Sequence, residues 1–145
     1  MERSNFQVFY PISTRWMDND VYGHVNNVTY YSYFDSAINR YLIEEGGLDI
    51  HSATVVGYVV SSNCQFRKPV AYPDAIEAGL RVVKTGNSSV TYELGIFKQG
   101  ENEASALGQV VHVFVDQETN KPTAIPDQIR NALVRIEVSK TKSTG

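Results

Sequence analysis

Cysteine is nearly absent: Cys64 stands alone in 145 residues. A single thiol excludes an intramolecular disulfide framework and fits a reducing compartment. No stretch approaches the ~20 consecutive apolar residues that a membrane helix needs. The opening residues, Met1 to Asn5, lack the apolar run of a secretory signal. A cytoplasmic chain without a membrane partner is the expectation. Basic residues are also few, thirteen Lys and Arg against sixteen Asp and Glu, for a formal net charge of -3. Neutralising phosphates would require a basic face, so nucleic acid is not expected as a ligand. Histidine is scarcer still. His24, His51 and His112 share no spacing that suggests a metal site, and none is expected.

What remains is the composition of a folded protein: 42% hydrophobic, 20% charged, with nine Tyr and six Phe. The length suits one domain, residues 1–145, built on a single core. Phe6 to Trp16 alternates loosely and reads as a strand near a sheet edge, because Pro11 removes a ladder donor. A polar turn, residues 18–27, follows. From Val28 to Glu45 the period changes. Tyr30, Phe34, Ala37, Ile38, Tyr41 and Leu42 recur at helical spacing, with Asn26 or Asn27 as N-cap and Gly46-Gly47 as the stop. So much tyrosine and phenylalanine predicts burial around much of the helix.

Beyond Gly47 the pattern is β. Strands are expected from Val55 to Phe66, from Ala75 to Lys84, from Val90 to Ile96 and from Ala104 to Val115, the last three joined by short turns. Lys121-Pro122 and Ile125-Pro126 read as breaks. Residues 127–145 read as a short terminal helix, Asp127 to Val138, and a frayed tail from Lys140. Sequential strands on short turns make an antiparallel sheet, and one long helix against five strands makes an α+β layer pair.

The chemistry concentrates in Asp18-Asn19-Asp20-Val21-Tyr22-Gly23-His24-Val25-Asn26-Asn27. First-turn amides of a helix are unsatisfied donors that carry part of the helix dipole. A carbonyl held there would be polarised, and one preorganised oxyanion donor contributes roughly 2.7–4 kcal/mol in catalysis. A surface charge–dipole contact gives only about 0.3–1 kcal/mol. Gly23 would let a ligand approach the backbone closely, and a carboxylate facing the carbonyl could attack it or activate water. Composition alone equally allows a plain capping turn.

The motif Asp18-x-Asp20-x-x-Gly23-His24-Val25-Asn26-Asn27, followed by Tyr30, Tyr33-Phe34 and Ala37, resembles the hotdog-fold thioesterases of the 4-hydroxybenzoyl-CoA thioesterase type. The resemblance spans nearly the whole chain. It implies a hotdog fold, with a five-stranded antiparallel sheet wrapped around a long central helix. It also implies pairing into a homodimer, or a dimer of dimers, with active sites at the interface. By the same resemblance the substrate is an acyl-CoA, Asp20 is the catalytic carboxylate, the Asn27 amide polarises the thioester carbonyl, and Asp18 shapes the turn. Coenzyme A enters as part of the substrate, and no other cofactor is implied.

Residues 20–27 also resemble the plant acyl-ACP thioesterases, whose aspartate and histidine match Asp20 and His24. Tyr22 occupies their asparagine position, so that triad is incomplete. His24 is accordingly a candidate catalytic residue with structuring of the turn as its alternative. Phosphates of coenzyme A favour basic partners, which points to Arg67-Lys68, with Lys84 and Ser88-Ser89 as further candidates. His112 reads as a strand residue with a satisfied ring, and Cys64 as a small buried hydrophobe. The alternatives to an acyl-CoA hydrolase are an acyl-ACP hydrolase and a non-catalytic acyl-thioester binding protein.

Overall fold

A computed structural model describes residues 1–138. The predicted tail from Lys140 lies outside the described residues. Strand β1 (Val8–Ser13) is followed by a 3-10 turn (Trp16–Asp18) and helix α1 (Asn27–Glu44). Strands β2 (Val55–Phe66), β3 (Ala75–Thr85), β4 (Ser89–Lys98) and β5 (Ala106–Asp116) come next, then a two-residue strand β6 (Lys121–Pro122) and helix α2 (Asp127–Arg135). The sheet is antiparallel throughout, in the order β1-β3-β4-β5-β2, with β6 paired to the end of β5. The class is α+β, a curled antiparallel sheet with helices. Pro11 does sit on an edge strand, where its missing N–H costs no ladder bond.

Three expectations are corrected. The first strand stops at Ser13, because the chain turns into the 3-10 segment before Trp16 completes the alternation. Lys121-Pro122, read as a break, closes a hairpin and makes a sixth strand, its pairs being Val115 with Pro122 and Asp116 with Lys121. Nor is α1 enclosed. It buries one stripe (Tyr30, Tyr33, Phe34, Ala37, Ile38, Tyr41 and Leu42) while Val28, Tyr31 and Ile43 on its other side stay exposed. A stripe repeating every three to four residues needs only one layer of sheet to cover it.

That stripe meets the inward rows of the strands: Ile76, Ala78, Leu80 and Val82 of β3, Val90, Tyr92, Leu94 and Ile96 of β4, and Ala106, Val110 and Phe114 of β5. Gly108 of β5 lies directly against this stripe, and a β-carbon there would overlap three ring atoms of Phe34. Phe34 is fully buried, so the ring has nowhere to retreat. Gly108→Ala is expected to destabilise the fold by about 1–3 kcal/mol through overpacking, read as a lowered urea midpoint with an unchanged slope. On the other sheet face Phe6 lies over Gly79 and Gly95 and packs edge-on against Phe97. Strand β2 is the far edge, and Tyr58, Val59 and Val60 lie exposed along it.

Candidate active site

The turn between the 3-10 segment and α1 is a miniature antiparallel ladder. The Asp20 N–H donates to the His24 carbonyl at 2.8 Å, and the Asn26 N–H donates to the Asp18 carbonyl at 2.8 Å. Asn19 and Val25 pair between them. Gly23 closes the loop with φ +83°, a left-handed conformation that L side chains rarely adopt. Two contacts fix the ladder to the sheet side: the Val25 N–H donates to the Val70 carbonyl at 2.6 Å, and the Tyr72 N–H donates to Asn19 Oδ1 at 2.9 Å.

Asp18 is the anchor. It is buried, and its carboxylate accepts from the Arg15 N–H (2.9 Å) and the Tyr33 hydroxyl (2.8 Å) on Oδ2, and from Arg15 Nε (3.1 Å) and Nη2 (3.0 Å) on Oδ1. Burial alone would raise its pKa. The Arg15 backbone bond, the Tyr33 hydroxyl and the Arg15 guanidinium outweigh that and hold the carboxyl below its ordinary range. Burial, followed by the bond to Asp18, pushes the Tyr33 hydroxyl up, so it stays a donor. With every lone pair engaged, Asp18 is a structural group.

Asp20 differs in each respect. It is half-buried, and among the described residues only Oδ1 takes a protein donor, the Tyr22 N–H at 2.9 Å. It lines an open cavity together with Trp16, Met17, Asn19, Val21 and Gly23, and its Oδ2 has no protein donor among the described residues. Seven residues on, α1 begins. Asn26 is the N-cap: its side chain accepts from the Val28 N–H at 3.0 Å, and its carbonyl takes the Thr29 N–H at 2.9 Å. The exposed Asn27 N–H has no acceptor among the described residues. One carboxylate and one free helix-start donor therefore stand on opposite arms of a single hydrogen-bonded turn. Past this start, Tyr31, Ser32 and Asp35 of α1 form a groove with Val59 and Ser62 of β2 and Val110 of β5. Tyr31 lies about 6 Å along the helix axis from Asn27 at ~1.5 Å per residue.

The structure brings Asp20, Gly23, His24 and Asn27 together. His24 is exposed on the turn, and its bond within it, from the Asp20 N–H, runs through the backbone carbonyl. Arg67 and Lys68 reach the same end of the molecule, their N–H groups sharing the Ser105 carbonyl just before Val70 meets Val25. Arg67 is exposed, while Lys68 Nζ lies 3.6 Å from Glu101. Ser89 and Lys84 sit at the other end of the sheet. From Ser89 to Ile96, which borders the Ser105 region, β4 runs on the order of 20 Å at ~3.4 Å per residue. Within one chain these residues do not join the turn. Cys64, half-buried rather than buried, packs beside the core and its thiol is pushed up to about 11 by burial.

Sequence reasoning missed the cavity wall of Trp16, Met17 and Val21, and the Tyr33 hydroxyl on Asp18. The 3-10 segment that turns Trp16 and Met17 outward has no periodic signature. Among the described residues, no group of three or more His, Cys, Asp or Glu is placed to hold a metal ion, and no helix is long and apolar enough to cross a membrane.

Comparison with known proteins identifies the family and the fold. Residues 14–133 match the thioesterase-like superfamily. The PA5185 protein of Pseudomonas aeruginosa strain PAO1 is 56% identical, with a TM-score of 0.93 over 95% of this chain and 96% of that one. The PA2801 protein of the same species is 31% identical, with a TM-score of 0.80 over 86% and 95%. A thioesterase from Thermus thermophilus, solved in complex with coenzyme A and Zn, is 27% identical, with a TM-score of 0.76 over 91% and 95%.

Proposed function

The chain belongs to the thioesterase-like superfamily, and from that premise we propose that it is an acyl-CoA thioesterase of the hotdog fold, releasing a free acid and coenzyme A. The observation that carries the reading is the pairing, on one fastened turn, of the Asp20 carboxylate, whose Oδ2 has no protein donor, with an Asn27 N–H that has no acceptor, both among the described residues. The thioester carbonyl sits with its oxygen on the Asn27 N–H, where the helix dipole favours developing negative charge. Asp20 takes a proton from water as the water oxygen bonds to the carbonyl carbon. The tetrahedral intermediate then collapses, the carbon–sulfur bond breaks, and the thiolate leaves with its electron pair to take up a proton. With Asp20 as nucleophile, a mixed anhydride forms first and water hydrolyses it. On the general-base route the proton Asp20 has taken returns to the departing sulfur, with His24, exposed on the same turn, as the alternative donor.

The acyl group lies in the groove along α1, close to the helix start. Gly23 leaves room for the thioester arm, with nothing within 4 Å of its β position. Arg67, and Lys68 once released from Glu101, receive the phosphates of coenzyme A. The coenzyme A bound by the Thermus thermophilus relative supports this ligand class. Each step uses only protein side chains, the Asn27 amide, water and the substrate, so the proposal includes no cofactor.

The active unit is a homodimer, alone or paired into a dimer of dimers. Its support is the apolar surface around the site: Trp16, Met17, Val21, Tyr22 and Val28 are each more than 70% exposed, and edge strand β2 adds Tyr58, Val59 and Val60. Patches of that kind, beside an unpaired strand edge, are what subunit association covers. Ser89, at the far end of β4, is assigned to a neighbouring subunit's site. The lone free thiol suits the reducing cytoplasm.

The test is thiol release from acetyl-, hexanoyl-, palmitoyl- and benzoyl-CoA, with sedimentation of the same sample to give its mass. Turnover of at least one by a dimer or tetramer is expected. Faster turnover of the same acyl group on acyl carrier protein would move the assignment to an acyl-ACP hydrolase. Thermal stabilisation by all four with no thiol released would make the chain a binding protein.

A further inference from the structure

We infer that Tyr33 is a positioning residue for the hydrolysis, acting through Asp18 to set the spacing between the Asp20 carboxylate and the Asn27 N–H. The inference rests on the reading of those two groups as the reacting pair. Tyr33 lies in the second turn of α1, six residues past Asn27. Helical side chains lean back toward the N-terminus, which carries its hydroxyl to Asp18 Oδ2 at 2.8 Å. Asp18 is two residues from Asp20, and its own carbonyl holds the N–H of the N-cap Asn26. One buried residue is thus bonded to the body of the helix, to the helix cap, and to the arm that carries Asp20.

Among the described residues, the Tyr33–Asp18 bond is the only side-chain hydrogen bond between the turn's first arm and α1 beyond its first turn. The other fastenings of the turn, to Val70 and Tyr72, run to the sheet side. Without the hydroxyl, the first arm can shift relative to the helix start while both stay folded. Misplacement on the scale of ~1 Å is enough to lower a rate about a hundredfold. Ring packing does not depend on the hydroxyl, since Tyr33 meets Tyr30 edge-on at 5.9 Å between centroids.

Tyr33→Phe is therefore expected to lower kcat at least tenfold on the best substrate among acetyl-, hexanoyl-, palmitoyl- and benzoyl-CoA, with KM changed less than twofold. Asp18→Asn should lower kcat by a similar factor, and the double variant should lose little more than Asp18→Asn alone, because both changes cut the same tie. A purely structural tyrosine would instead lower the melting temperature and leave kcat unchanged at temperatures where the variant is folded. Asp18→Asn gives a second reading if Tyr33→Phe does not fold, because it weakens the same bond from its other end. Parental kcat in Tyr33→Phe, or in Asp18→Asn where only that variant folds, would overturn the inference, as would multiplicative losses in the double variant. Asp20→Asn keeps the two failures apart. If that variant is inactive while Tyr33→Phe works at the parental rate, the site reading stands and the positioning role falls. If Asp20→Asn turns over normally, the site reading falls and takes the positioning role with it.

Discussion

Asp20→Asn is expected to lower kcat by about 10²–10⁴, the usual contribution of a positioned acid–base group, with KM changed little. The amide has nearly the shape of the carboxylate and can still accept the Tyr22 N–H that Asp20 takes at 2.9 Å, so the turn should keep its form. What disappears is the carboxylate charge beside the cavity that Asp20 lines with Trp16, Met17 and Val21. Binding should survive, because Arg67, Lys68 and the groove along α1 are untouched. The same melting-temperature rise with free coenzyme A in parent and variant would show it. Asp18→Asn should behave differently: a buried group with four donors loses charge-assisted bonds, so stability falls along with rate.

The second large effect is on stability against acid and involves His112, which the hydrolysis does not use. Its ring is buried on the helix side of β5, with Nδ1 3.3 Å from the hydroxyl of Tyr92 and the backbone of Gly57 against it. Burial lowers its pKa from 6.5 to about 4, and Asp35 on α1 opposes that only in part. The unfolded chain takes up a proton near pH 6.5 while the native state stays neutral down to about 4. Stability is therefore fully present above pH 6.5 and is lost as the pH falls toward 4. At about 1.4 kcal/mol per pH unit the loss comes to about 3 kcal/mol. Urea midpoints at pH 7.5, 5.5 and 4.5 should fall in that order, and His112→Gln should flatten the trend. An equal slope in both proteins would contradict the assignment. Asp18, held below the ordinary carboxylate range, loses its contribution only at lower pH.

Much of this was legible because periodicity reports one-sided burial. The alternation of Val90, Tyr92, Leu94 and Ile96 placed β4 and its inner face, and the spacing from Tyr30 to Leu42 placed the buried stripe of α1. The turn was legible because acids, amides and glycine crowd there for reasons of local geometry. Burial from a second layer, however, has no local signal. The apolar run Val55 to Val60 does not announce an edge strand, and a register shift between Val59 and Ser61 breaks its alternation. Tyr33 and Asp18 are fifteen residues apart, and only the backward lean of a helical side chain joins them. Ser89 was grouped with Arg67 by chemistry, whereas strand length puts them at opposite ends of the sheet.

The most direct test of the central claim is one thiol-release assay on parent and Asp20→Asn side by side, with the acyl-CoA that the parent turns over fastest. Steady release by the parent, and release at least a hundredfold slower by a folded variant that still responds to coenzyme A, is the predicted result. Equal rates in the two proteins would contradict it.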